Sequence, residues 1–266
     1  MPSSSTPTPA PQDLLYEGKA KCIYRTPDPQ VYLCRYKDDA TAFNAQKRGS
    51  IAGKGEVNCT VSSHLFQYLG QQGIRTHFLA QTGPTEMLVR AVTILPLEVV
   101  VRNRSAGSLC RRLGLERGLP IDPPVLEFYY KNDALGDPLV TPDHIRLLKL
   151  ATPEQVEQLG SLALTINRHL QVFWQTCHLE LVDFKLEFGL NPDGAILLAD
   201  EISPDTCRLW DWSGGQASEP QVLDKDLFRF DLGDPVAGYQ EVLQRVLQVV
   251  APAKLSQPQV GPMPIH

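Results

Sequence analysis

Residues 181–205, LVDFKLEFGLNPDGAILLADEISPD, constrain the fold more than any other stretch of the chain. The segment reads as a β-hairpin. Asp183, Lys185 and Glu187 stand at i, i+2 and i+4, so in a strand they share one face. Val182, Phe184, Leu186 and Phe188 take the other. Asn191-Pro192-Asp193-Gly194 supplies the turn. If the loop has an even number of residues, Asp200 lies on the face of Glu187, and a tight Asp193-Gly194 turn would set the two directly opposite. Facing carboxylates repel, so that arrangement needs a cation between them; Lys185 and a bound Mg²⁺ would suffice. An odd loop would break the argument. The competing reading is a solvated strand face of alternating charge.

A chain of 266 residues with 42% hydrophobic and 21% charged residues can bury a sizeable core, as one large domain or two intimate ones. Its net charge of −5 is unlike a nucleic-acid footprint. Local lysines and arginines can still make a site for small anions. No apolar run has the length of a membrane span. Residues 1–12, MPSSSTPTPAPQ, lack the apolar centre of a signal peptide and read as a disordered tail. Residues 251–266 read as a second loose tail. The six cysteines form no CxxC pair and read as reduced, mostly buried thiols of a cytosolic protein.

Tyr16 to Tyr36 reads as strands broken by a KAK turn and by Pro27-Asp28-Pro29. Residues 55–72 carry Val57, Val61, Leu65, Tyr68 and Leu69 at helical spacing, with Gly73 as the stop. Residues 76–101 read as strands, and a short helix carrying Arg111 and Arg112 starts near Ser108. The Pro- and Asp-rich stretch 120–150 reads as mostly loop. Thr152, Pro153 and Gln155 form a capping-box start. The helix that follows buries Val156, Leu159, Ala163, Ile166, Leu170, Phe173 and Cys177. A last helix spans about 235–250. Mixed strands with segregated helices indicate an α+β fold.

Three further segments bear on chemistry. Gly18-Lys19-Ala20-Lys21 sits between two strands, where glycine admits a ligand close to the backbone and two lysines could hold phosphates; an ordinary hairpin turn would look the same. Gly49 to Gly55 fails as a Walker A loop, being one residue short with Gly55 in place of Ser or Thr, although Lys54 could add an anion contact. Arg102-Asn103-Arg104-Ser105-Ala106-Gly107-Ser108 gathers donors after a buried strand, as a phosphate or carboxylate site would. None of the six histidines has the spacing of a metal site or a triad. Trp174, Trp210 and Trp212 read as packing residues.

Taken in order, YEGKAKCIY, KDDATAFN, IAGKGEVN, LPLEVVVRNRSAGS, KNDALGDP, LVDFKLEFG and DEISPDTCRLWD resemble the SAICAR synthetase family over roughly residues 14–250. The resemblance implies a two-lobed, ATP-grasp-like fold with kinase-like features. An N-terminal antiparallel sheet lobe (13–101) and a larger α+β lobe (102–250) would hold ATP between them. It implies ATP-dependent joining of L-aspartate to the carboxylate of carboxyaminoimidazole ribonucleotide (CAIR), in purine biosynthesis in the cytoplasm. A carboxylate is a poor acyl donor, and phosphorylation by ATP would make it an acyl phosphate open to the aspartate amine. Such transfer depends on positioning and charge neutralisation.

The same resemblance implies roles residue by residue. Lys19, Ala20, Lys21 and Lys131 would hold nucleotide phosphates, and the main chain near Leu97 and Glu98 would form the adenine hinge. Glu187 and Asp200 would bind Mg²⁺, and Lys185 would neutralise charge on the transferred phosphoryl group. Asp183 would orient that lysine or assist proton removal from the amine. Arg102, Ser108, Asp205 and Arg208 would handle the ribonucleotide. A homodimer is the family's expectation; nucleic-acid and membrane partners are not. Cys59 departs from the pattern, which favours a polar residue there. The alternatives are a kinase, against which the absence of HRD and DFG motifs weighs, and a non-catalytic nucleotide-binding protein, which the intact lysines and carboxylates disfavour.

Overall fold

The computed structural model describes residues 13–42, 46–214 and 219–250. The two expected tails, Phe43 and Asn44, and part of the loop after Trp210 lie outside the described residues. The first half runs β1 (Leu14–Glu17), β2 (Lys21–Arg25), β3 (Val31–Tyr36), β4 (Asp39–Ala42), β5 (Lys47–Ser50), α1 (Lys54–Gln71), β6 (Phe78–Gly83), β7 (Glu86–Arg90), β8 (Thr93–Arg104) and α2 (Gly107–Leu113). The second half runs β9 (Pro120–Tyr130), β10 (Leu139–Val140), α3 (Pro142–Leu148), α4 (Pro153–Thr176), β11 (Glu180–Leu190), β12 (Ile196–Ala199), β13 (Cys207–Asp211), β14 (Gln221–Val222), α5 (Asp226–Phe230) and α6 (Pro235–Val250).

Two sheets organise these elements. One has the order β1-β2-β3-β7-β6; the other runs β10-β9-β8-β11-β13-β14, with β12 also paired to β11. The chain passes from one sheet to the other between β7 and β8, so residue 101 lies well inside β8. The strand pairs are antiparallel, and β8 and β11 form the centre of the larger sheet.

Period-two patterning decides which way β8 faces. Leu95, Leu97, Val99 and Val101 are buried in the core, while Glu98, Val100 and Arg102 point to the opposite side and line a cavity. Helix α4 covers the core face. Its Thr152 cap accepts from the Gln155 amide, and the Gln155 side chain accepts from the Thr152 amide. Leu159, Ala163, Ile166 and Leu170 are fully buried along it. Each large side chain sealed in this way contributes ~2 kcal/mol. Helix α1 packs on α6 and on β6 of the smaller sheet.

Residues 120–150 differ from the expected loop, because they hold β9, β10 and α3. Strand β10 pairs only with Phe128 and Tyr129, so the proline-bearing start of β9 has no outer neighbour among the described residues. A missing N–H costs little on such an edge.

Candidate active site

Between the two sheets lies a cavity of about 650 Å³. Its floor is set by register. Asp183 on β11 stands beside Arg102 on β8 and Arg208 on β13; Lys185 faces Val100, and Glu187 faces Glu98. The sequence reading put a cation between two facing carboxylates, and the structure contains such a pair, but with a different partner. The loop joining β11 to β12 is odd, and Glu187 faces Ala199 rather than Asp200. The carboxylate opposite Glu187 belongs to Glu98. Lys185 Nζ lies 2.8 Å from Glu98 Oε1 and 2.8 Å from Glu187 Oε1, which offsets the repulsion.

Asp200 reaches the cavity by another route. It follows the last residue of β12 with φ 61, a left-handed conformation that breaks the strand and releases its side chain from strand parity. There it takes the Lys21 ammonium. Lys21 also lies 3.0 Å from Glu201. Burial drives the Lys21 ammonium toward neutrality, but Asp200 and Glu201 outweigh it and hold its pKa well above the ordinary value. Burial likewise opposes the charge on Asp200, and Lys21, Lys185 and Lys131 reverse this and hold it well below the usual carboxylate range. Lys131 closes the group by pairing with the second oxygen of Glu187. This end therefore sets Lys21, Lys131 and Lys185 against Glu98, Glu187, Asp200 and Glu201.

The other end is built from guanidinium groups. Arg102 donates to Asp183 and Glu127 at 2.8 Å each, and to Ser108 Oγ and the Tyr129 hydroxyl at 3.2 Å each. Arg208 donates to both oxygens of Asp183, at 3.0 and 2.9 Å, and to Asp226 at 2.7 Å. Arg208 also packs onto Gly107, where φ is 55 and an added Cβ would come within 2.6 Å of the guanidinium. Glycine is required there on both counts. Asp183 therefore binds two arginines, while the Lys185 ammonium donates to Glu98 and Glu187.

Of the residues expected at the site, Lys19, Ala20, Lys21, Glu98, Arg102, Lys131, Asp183, Lys185, Glu187, Asp200, Asp205 and Arg208 all line the cavity. Ser108 stands behind it through Arg102. The Leu97 side chain lies in the core. The β8–β11 ladder skips from Glu98 to Ile94, so residues 95–97 have no partner in that ladder. Lys54 departs from expectation. Its Nζ is 2.9 Å from Asp205, it is 1% exposed, and it does not reach the cavity to meet an anion. Lys19 meets Asp133 at 2.7 Å at the exposed mouth.

Glu201 and His77 were missed. Glu201 had a weak signal in its position next to Asp200. His77 had none, because no histidine has the spacing of a metal site or a triad. The His77 ring lies edge-on to Phe66 at 5.2 Å, and burial, with Lys21 nearby, pushes it down to about 3. Among the described residues no three His, Cys, Asp or Glu side chains gather as a metal cage. No helix among them is long and apolar enough to cross a membrane.

The sequence model of the SAICAR synthetase family matches residues 14–246. A phosphoribosylaminoimidazole-succinocarboxamide synthase of Synechococcus sp. (strain JA-2-3B'a(2-13)) is 84% identical over 241 residues, covering 91% of this chain and 96% of the relative. The crystal structure of the Ehrlichia chaffeensis synthase superposes with a TM-score of 0.84 at 43% identity, over 88% of this chain and 98% of that one. A SAICAR synthetase in complex with ADP superposes with a TM-score of 0.83 at 42% identity, over 88% of this chain and 97% of that one.

Proposed function

This chain belongs to the SAICAR synthetase family, and on that footing we propose that the cavity joins L-aspartate to the carboxylate of CAIR at the expense of ATP, giving SAICAR, ADP and phosphate. The observation that carries the reading is the row of Lys21, Lys131 and Lys185 against Glu98, Glu187 and Asp200 on one wall of the cavity. The two sheets act as two lobes of an ATP-grasp-like fold, with ATP between them. The main chain at residues 95–97, which has no partner on β11, receives the adenine, and Lys19, Ala20, Lys21 and Lys131 receive the phosphates.

Carboxylate oxygens are the donors a hard cation prefers, and Glu187 and Asp200 both line the cavity. Glu187 and Asp200 would hold Mg²⁺, which neutralises phosphate charge when bound. The γ-phosphoryl group passes to a carboxylate oxygen of CAIR and ADP leaves. The aspartate amine then adds to the acyl carbon, phosphate departs, and the nitrogen gives up its proton. Lys185 stabilises charge on the group in transit. Arg102 and Arg208 take the ribonucleotide's anionic groups, held in place by Asp183. A cytoplasmic location belongs to the same reading, and all six cysteines are free thiols.

The test is ADP formation, which should require CAIR and aspartate together. Glu187→Ala should stay folded and lose Mg²⁺-dependent turnover by about 10³-fold or more, the scale of losing one preorganised electrostatic group. Rapid ADP release without either substrate, or full activity in that variant, would count against the reading.

A further inference from the structure

Asp205 is held from three sides. Its Oδ1 accepts from the Tyr239 hydroxyl on α6. Its Oδ2 lies 2.9 Å from Lys54 Nζ on α1 and 3.5 Å from Lys225 Nζ, just before α5. The side chains of Lys54 and Asp205 are 1% and 3% exposed, and Tyr239 is buried. Burial opposes the charge on Asp205, but Lys225 and Lys54 outweigh it and keep the carboxyl well below its usual range.

Stability alone is a poor reason for this cluster. A buried ion pair is often no more stabilising than apolar residues of the same volume. Lys54 also stands in the first turn of α1, where the helix dipole disfavours a cation. The position of Asp205 suggests another use. It sits in the turn that carries Glu201 to Lys21 at one end of the cavity and Arg208 to Asp183 at the other. That turn is joined to the catalytic strand where the Lys185 amide donates to the Thr206 carbonyl at 2.9 Å. Both Asp205 oxygens are engaged by protein donors, and the residue also lines the cavity, so it links the cluster to the site.

We propose that Lys54 and Tyr239 are positioning residues that act through Asp205 to fix the 201–208 turn, setting Arg208 in register with the nucleotide end of the cavity. This rests on the ligase reading above. Neither side chain lines the cavity, so any effect on substrate must pass through the turn.

Tyr239→Phe keeps the ring and removes one donor. Lys54→Met keeps the length and removes the charge. Both should be measured for Tm, for kcat and the KM of each substrate, and for ADP affinity by calorimetry. The KM for CAIR should rise about tenfold in Lys54→Met and roughly threefold in Tyr239→Phe, with ADP affinity within about twofold of wild type, because small misplacement of a binding group is costly. Lys54→Arg should recover part of the loss. A purely structural role would lower Tm and leave KM unchanged. A KM for CAIR within about twofold of wild type in Tyr239→Phe overturns the proposal, even if Lys54→Met does not fold. Failure of the ligase reading would show separately, as a wild-type protein that makes no SAICAR.

Discussion

The two ends of the cavity handle charge in different ways. At one end the cations are lysines; Lys131 and Lys185 keep side chains 40% and 28% exposed, and Lys21 is 13% exposed. Each is a point charge on a flexible stem that can exchange a carboxylate for a phosphate. At the other end the cations are arginines; Arg102 is 4% exposed and Arg208 16%, and their fork geometry is fixed by Asp183, Glu127 and Asp226. One end is adjustable and the other is built in advance. That contrast suits a site where phosphoryl groups move while the acceptor must stay still.

The contrast can be broken most decisively at Asp183. Asp183→Asn leaves two buried guanidiniums short of a charge, so the expected loss is about 3–5 kcal/mol of stability. CAIR-dependent turnover should fall by roughly 100-fold or more, as for other losses of substrate-orienting geometry. Thermal unfolding and a steady-state assay check both; an Asn variant as stable as wild type would remove the preformed arginine end.

A matched pair of exchanges sharpens the comparison. Arg208→Lys cannot serve Asp183 and Asp226 together, so kcat/KM for CAIR should drop at least about tenfold. Lys131→Arg keeps a charge near Glu187 and should change kcat/KM for ATP by less than about threefold. Equal sensitivity at the two positions would erase the distinction.

The smallest effect concerns Asp224, beneath the arginine end. It accepts the amides of Leu209 and Asp226 at 2.8 Å each, and burial together with Asp226 pushes its pKa up to about 7. Between its ordinary value of 3.8 and about 7 the folded protein keeps a proton that the unfolded chain releases. Its contribution to stability is therefore present at low pH and is lost as pH rises through that window. The neutral His77 ring, with its pKa lowered to about 3, contributes with the opposite sign. Asp224→Asn cancels only the first effect, so the Tm difference from wild type should change by a few degrees between about pH 5 and about pH 7. A constant difference would refute a protonated Asp224.

Much of this was written locally. The capping box at Thr152, the α6 stretch and the charged face of β11 need only nearby residues to specify them, and they were legible. What escaped depends on distant partners. The start of β9 looked like loop because its prolines are tolerated only on an edge that the sequence does not reveal. Strand parity set Asp200 against Glu187 only under an even loop, and a left-handed residue delivered Asp200 instead. Glu98, 89 positions before Glu187, supplied the facing carboxylate. Lys54 beside two glycines looked like an anion ligand, and its true partner, Asp205, lies 151 residues away.

The most direct test is a crystal structure with ADP, Mg²⁺ and CAIR bound together. It should place the nucleotide phosphates against Lys19, Lys21 and Lys131, Mg²⁺ between Glu187 and Asp200, and the anionic groups of CAIR on Arg102 and Arg208 with Asp183 still bridging the two. CAIR phosphate at the lysine end, or ADP phosphates on the arginine pair, would contradict the division of the cavity and the mechanism derived from it.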